Sequence, residues 1–163
     1  MSSQIIGITI RAMLFMAVVG FIAWSADAIL IFPSLGPTAY LLAYDKGVSY
    51  SAGVVIGGHC CGIAGGLVSY TLVVEPYILS GLIDAFSVAG GWLAMGAVIS
   101  LGITVFLMLL FQVSHPPACA TTLIISLGIL PAWGDSIVIL AGVTVLYLCY
   151  RVYHRLARGT NEP

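Results

Sequence analysis

The sequence predicts an all-α membrane protein made of two repeats. Each repeat reads as a transmembrane helix, a broken or half helix and a second transmembrane helix, with the two repeats inverted relative to each other. Three observations predict this. The 163 residues are 61% hydrophobic and only 7% charged, and the mean hydropathy is +1.14; a soluble domain carries about 25% charged residues. Apolar runs recur at the length of about 20 residues that one bilayer crossing needs. Two apolar segments are broken by prolines, and Ser34 and Ser114 at the two breaks stand 80 positions apart.

The first run, Ile5 to about Trp24, is one span, with Arg11 about a turn inside it and able to snorkel to the interface. It is too long for a signal-peptide core and shows no small-residue cleavage site, so it is expected to be retained. Asp27 marks its far end. Ala28–Phe32, Pro33–Pro37 and Thr38–Tyr44 form an apolar segment interrupted by two prolines and Gly36, closed by Asp45-Lys46-Gly47. Irregular backbone at membrane depth is tolerated only where protein or a polar cavity covers it. Ser51 to Val74 is the second long span; Gly58, Gly62 and Gly66 repeat four apart on one face, which lets another backbone approach closely.

Glu75 to Ser87 reads as an acidic surface loop with at most one interfacial helix. Val88 to about Phe106 is a span, a short helix runs from Pro117 to about Leu127, Gly128 to Asp135 is a turn, and Ile137 to Tyr153 is the last span. Arg151, His154, Arg155 and Arg158 cluster at its end. Repeat 1 therefore covers about 5–75 and repeat 2 about 88–155 of a single membrane domain spanning 1–163.

The stretch most informative about function is Ser114-His115-Pro116-Pro117-Ala118-Cys119-Ala120-Thr121-Thr122, inside a run with no Asp, Glu, Lys or Arg from Ala85 to Gly134. Two adjacent prolines cannot sit in a helix interior, and the second suits a first helical turn, with Ser114 and His115 as capping candidates. A helix that starts in an apolar region aims N–H groups and a positive dipole end at something dry. Ser34-Leu35-Gly36-Pro37-Thr38 repeats the pattern, and paired helix breaks in a repeat point to a transport site.

Two facing helix starts make an anion site without a fixed ion pair, which suits transit of a small monovalent anion. The expected binding residues are Ser34, Gly36, Pro37, Thr38, His59, Ser114, His115, Pro116, Pro117 and Ala118, with backbone N–H groups near Thr38 and Ala118. The competing reading is that the prolines only kink core helices. His115 could be a donor, a proton carrier or a packed cap; His59 could line a path or bond between helices.

A metal set with Cys60, Cys61 and Cys119 is not expected, because adjacent helical cysteines diverge by about 100°. No cofactor and no nucleic-acid partner are expected at a net charge of −1. No enzyme is expected either, since no carboxylate lies deep in a span. The four cysteines read as free thiols packed in apolar segments.

His115-Pro116-Pro117, with Phe32-Pro33-Ser34-Leu35-Gly36-Pro37-Thr38-Ala39 and Gly57-Gly58-His59, resembles the HPP family of integral membrane proteins. The resemblance runs from about Ala28 to the last span. It implies four membrane spans, a transport role, nitrite as the substrate of plastid and cyanobacterial members, and signature positions at Ser34, Gly36, Pro37, His59, His115, Pro116 and Pro117. Where family members often carry Gln-Pro-Arg, this chain has Val48-Ser49-Tyr50-Ser51-Ala52-Gly53, without a base.

The resulting expectation is a nitrite or similar small-anion transporter or channel; the alternatives are a pore for another solute and a non-transport subunit or sensor anchor. Its partners are the anion, the bilayer and a second copy of the chain. Its home is a prokaryotic inner membrane with the basic C-terminus in the cytoplasm. If both broken segments complete a crossing, Arg11, Lys46 and the C-terminal arginines share one side.

Overall fold

Apolar runs longer than a membrane is thick can satisfy their backbone only as helices, and all regular structure among the described residues is helical. The computed structural model describes residues 2–25, 33–44, 49–78 and 87–159. Helix α1 is Ser2–Ser25, α2 Leu35–Ala43, α3 Ala52–Ser69, α4 Val88–Leu110, α5 Ala118–Ser126 and α6 Trp133–Gly159. Four of them are long and apolar enough to cross a membrane: α1, α3 with its continuation, α4 and α6. Helices α2 and α5 have nine residues each, roughly 14 Å, and cannot cross alone. The expected Ala28–Phe32 segment, the Asp45-Lys46-Gly47 end, Asp27, Asp84 and the Arg158 side chain lie outside the described residues.

Local chemistry explains most helix ends. The Ser51 hydroxyl accepts from Val54 N–H at 3.2 Å and the Ser87 hydroxyl from Gly90 N–H at 3.0 Å, each satisfying an orphan donor of a first turn. Asp135 Oδ2 accepts from Ala132 N–H at 3.0 Å. This capping contact starts α6 at Trp133, inside the stretch expected to be a turn through Asp135. Helix α4 ends with Gln112 left-handed at φ 56, Val113 N–H reaching back to Met108 O. Helix α5 ends the same way at Gly128, φ 74, with Ile129 N–H on Ile124 O.

Two expectations are corrected. The Glu75–Ser87 stretch is not loop from its start: α3 continues through a π-wound stretch, Tyr70–Val74, into a helical turn, Glu75–Ile78. Pro76 lacks an N–H and would crowd the carbonyl four residues back in a regular α-helix, and the wider winding just before it removes that conflict. Ser114 and His115 do not cap α5. Its N-cap is Pro117, with no side-chain cap bond. Helix α2 begins at Leu35, three residues before Thr38, so Pro37 falls in the first turn, where its missing N–H is not needed.

Contacts set the helix directions. Tyr50, just before α3, gives its N–H to Tyr150 OH at 3.1 Å and accepts at its carbonyl from Tyr147 OH at 3.2 Å, near the end of α6. Arg11, in the first half of α1, donates to Tyr153 OH at 3.2 Å, in the last quarter of α6. The starts of α1 and α3 thus share one end of the molecule with the finish of α6. At the other end Tyr77 stacks on Trp92, 4.2 Å between centroids, so α4 runs antiparallel to α3. Helices α1 and α3 run one way, α4 and α6 the other, and the segments holding α2 and α5 carry the chain back between them.

Packing partners cross over between the halves. Helix α2 packs on α1 and α6, and α5 packs on α4 and α3. Each short helix lies on the long helix before it and on the long helix that closes the other half, while α3 and α6 touch each other in the middle. The larger core gathers Phe15 and Val19 of α1, Leu35 and Leu42 of α2, Ile125 of α5 and Ile139, Val143 and Leu146 of α6.

Candidate functional site

The glycine face of α3 builds the site. A methyl group on Gly58 would sit 2.5 Å from His115 Cβ, one on Gly62 2.6 Å from the Ala118 carbonyl oxygen, and one on Gly66 2.8 Å from Ile125 Cβ. Hydrogen at these three positions is what lets the prolyl stretch and α5 lie directly on α3. The expected tight-packing role of this face is therefore met within the chain.

That approach brings two imidazoles together at the centre of the bundle. His59 from α3 and His115 from the prolyl stretch lie with ring centroids 5.1 Å apart, and both are fully buried. Thr38 from α2 joins them. Its Oγ1 lies 3.1 Å from His59 Nε2, 3.5 Å from His115 Nε2 and 3.0 Å from the Ser34 carbonyl oxygen. On the far side of His59, Nδ1 meets Thr121 Oγ1 of α5 at 2.8 Å. A second hydroxyl pair, Thr104 of α4 and Thr122 of α5 at 2.8 Å, lies beside it, with Thr122 also bonding back to Ala118 O. Two polar atoms of the cluster are buried without a partner: Ser34 Oγ and His115 Nδ1.

Of the ten residues expected at the site, Ser34, Thr38, His59, His115, Pro117 and Ala118 are buried in it or against it, whereas Gly36, Pro37, Ser114 and Pro116 are exposed. The first group supplies the inward side of the two breaks; the second forms their outer surface. The N–H groups expected to serve an anion near Ala118 are already used. Ala118, Cys119 and Ala120 donate to the carbonyls of His115, Pro116 and Pro117 at 2.9, 3.0 and 3.1 Å, and Thr38 N–H to Ser34 O at 3.4 Å. The tightened first turn of α5 satisfies its own donors, so that turn offers a ligand no free N–H. The two short helices do not pack on each other; Thr38 of α2 reaches His115 in the stretch before α5.

Thr121, Thr122 and Thr104 belong to the polar core; Thr121 and Thr122 close the stretch that the sequence marks as most informative, but none of the three is among the expected binding residues. Thr121-Thr122 is a hydroxyl doublet one turn into an apolar helix, and that doublet was the available signal. No group of three or more metal-ligating side chains occurs among the described residues.

No curated protein sequence and no solved structure matches the chain. A family model described as "HPP, transmembrane region" matches residues 2–163. The His115-Pro116-Pro117 stretch and the helices around it thus fall within one family model covering nearly the whole sequence, and the chain belongs to the HPP transmembrane family.

Proposed function

We propose that this protein moves a small monovalent anion, nitrite first among the candidates, across a membrane as a transporter or channel. The solute would pass the cluster of Ser34, Thr38, His59, His115 and Thr121. The observation that carries the reading is that cluster: two histidines and three hydroxyl residues buried among membrane-spanning helices, with two polar atoms unpartnered. Ionisable side chains at such depth are costly and mark solute or proton paths.

The inverted-repeat organisation is part of the proposal. It is supported by the opposed directions of α1 and α3 against α4 and α6, and by the crossed packing of α2 and α5. Sites at the junction of inverted halves, framed by broken helices, suit alternating access. Orientation follows from charge. Arg11, Arg151 and Arg155 gather at one end, and Glu75 and Asp135 at the other, so the basic end with the C-terminus is assigned to the cytoplasm of a prokaryotic inner membrane. A homo-oligomer is included, with its seam away from the Gly58–Gly66 face, which the chain itself covers.

Flux of nitrite, nitrate, formate and chloride into liposomes holding the purified protein tests the reading. Nitrite flux above protein-free liposomes is expected, falling about tenfold or more in His115→Ala, the scale of one lost polar contact of about 1.5 kcal/mol or more. No flux of any solute, with a second protein retained through purification, would replace it with a subunit or anchor role.

A further inference from the structure

We propose that the solute crosses the His59–His115 site together with one proton, so that the transported unit is a monobasic weak acid in either of its proton placements. The proposal rests on the transport reading above and adds the charge of what is carried. It comes from counting protons at Thr38. A threonine hydroxyl holds one proton and two lone pairs. The Ser34 carbonyl oxygen can only accept, and it lies 3.0 Å from Thr38 Oγ1. The hydroxyl proton goes there, and both lone pairs remain for the two rings.

His59 Nε2, at 3.1 Å, must then carry the proton it gives to Thr38. A neutral imidazole has one N–H, so His59 Nδ1 is a lone pair and accepts from Thr121 Oγ1 at 2.8 Å. The bonds run in one direction, from Thr121 to His59 to Thr38 to the Ser34 carbonyl, and every group in the line is satisfied. The opposite tautomer would ask Thr38 for two protons and leave the Thr121 hydroxyl proton without an acceptor. His59 is thereby fixed and fully used.

His115 is not. Its Nε2 takes the remaining lone pair of Thr38 at 3.5 Å, and its Nδ1 is buried and unpartnered. In the neutral ring Nδ1 is a lone pair. A bare anion brings only lone pairs and is repelled by it. No hydrogen bond or ion pair joins this ring to an Asp, Glu, Lys or Arg among the described residues; its titratable neighbour is His59 from α3, and the thiols of Cys61 and Cys119 pack with Ala118 further along the same stretch. Nothing fixed offsets an anion's charge in a buried place.

Two arrangements remove the conflict. The acid HA presents its own O–H to Nδ1, or Nδ1 takes that proton and the ring, now positive with N–H on both nitrogens, pairs with A⁻. The step is a reversible proton transfer from HA to the neutral imidazole of His115, giving an imidazolium paired with A⁻. One O–H bond breaks, one N–H bond forms, and no electron changes hands. The occupied site is neutral overall in both forms. Ser34 Oγ, also unpartnered, can donate to a second oxygen of the solute. On the other side the proton leaves with the anion.

The experiment is nitrite and formate uptake into liposomes with the pH gradient and the membrane potential set separately, the latter by potassium and valinomycin. Rates in protein-free liposomes are subtracted, since weak acids leak. The expected result is uptake that rises about tenfold for one unit of inward proton gradient and does not respond to potential. In His115→Gln, whose amide oxygen can accept the acid's O–H but cannot take up its proton, uptake falls about tenfold and keeps its gradient dependence, while far-ultraviolet dichroism and elution volume match wild type. Flux that follows the potential and ignores the pH gradient overturns proton coupling and leaves the transport reading standing. Absence of flux in every condition overturns both. If His115→Gln does not fold, the wild-type comparison of gradient against potential decides alone.

Discussion

Replacing Gly58 by Ala places a methyl group 2.5 Å from His115 Cβ and 3.2 Å from the Val113 carbonyl oxygen. Carbon atoms rest at about 3.5–4.0 Å, so the prolyl stretch must retreat from α3 by about 1 Å. His115 Cβ is attached to the main chain, and no side-chain rotation can withdraw it. Two terms oppose. The helix gains about 1 kcal/mol from alanine over glycine, and overpacking a filled interior costs about 1–3 kcal/mol. The net expectation is a loss of up to about 2 kcal/mol, or roughly 4–8 °C in the melting temperature of a chain this size.

The effect on transport should be larger than that on stability. The His115–Thr38 contact is already 3.5 Å, and a further ångström ends it. A loss of flux of about tenfold or more is expected, since misplacements of this size cost up to about a hundredfold in positioned sites. Gly102→Ala in α4 is the control: nothing lies within 4 Å of its added methyl, so stability holds or rises. Thermal melting in detergent and liposome flux read both variants. Gly58→Ala with wild-type melting and wild-type flux would refute the claim that this glycine seats His115.

Gly62→Leu drives a full side chain into the Ala118 carbonyl and Thr122, and should abolish a monodisperse peak in size-exclusion chromatography or lower the melting temperature sharply. Thr121→Val leaves His59 Nδ1 a buried acceptor without a donor; a destabilisation of about 1–3 kcal/mol is expected in thermal melts, together with weaker flux. Thr122→Val alone leaves the Thr104 hydroxyl without its partner, whereas Thr104→Val with Thr122→Val removes both ends of their bond. A double-mutant cycle on melting should therefore show the double variant costing less than the sum of the singles.

The spans were legible because about twenty apolar residues admit one solution in a bilayer. Ile5–Trp24 is observed as Ser2–Ser25, and Val88–Phe106 as Val88–Leu110. The short helix after Pro117 was legible from the ring that cannot donate, and the close-packing face of α3 from glycines four apart. The extension of α3 past Glu75 was hidden, because Pro76 reads as a stop unless the winding before it changes. At the candidate site, sequence supplied Ser34, Thr38, His59 and His115 as members of one expected binding set at two facing breaks. That the two histidines share one hydroxyl depends on the depth at which the prolyl stretch crosses α3, and no local period encodes a meeting between residues so far apart in the chain. The used N–H groups of Ala118, Cys119 and Ala120 were equally invisible, since they depend on how tightly the first turn of α5 winds.

The crossed packing of the short helices bears on how the protein is made. Helix α2 leaves the ribosome early, yet one of the two helices it lies on is α6, the last of the described helices to be synthesised. Until the prolyl stretch and α6 arrive, Thr38 lacks its His115 contact and α2 lacks one of its two packing partners. The first three helices therefore have no finished structure of their own to adopt, and assembly is completed only after translation of the final span. A chain cut between Ile78 and Ser87 and expressed as two pieces should give stable protein when both pieces share a membrane, and degraded fragments when either is made alone.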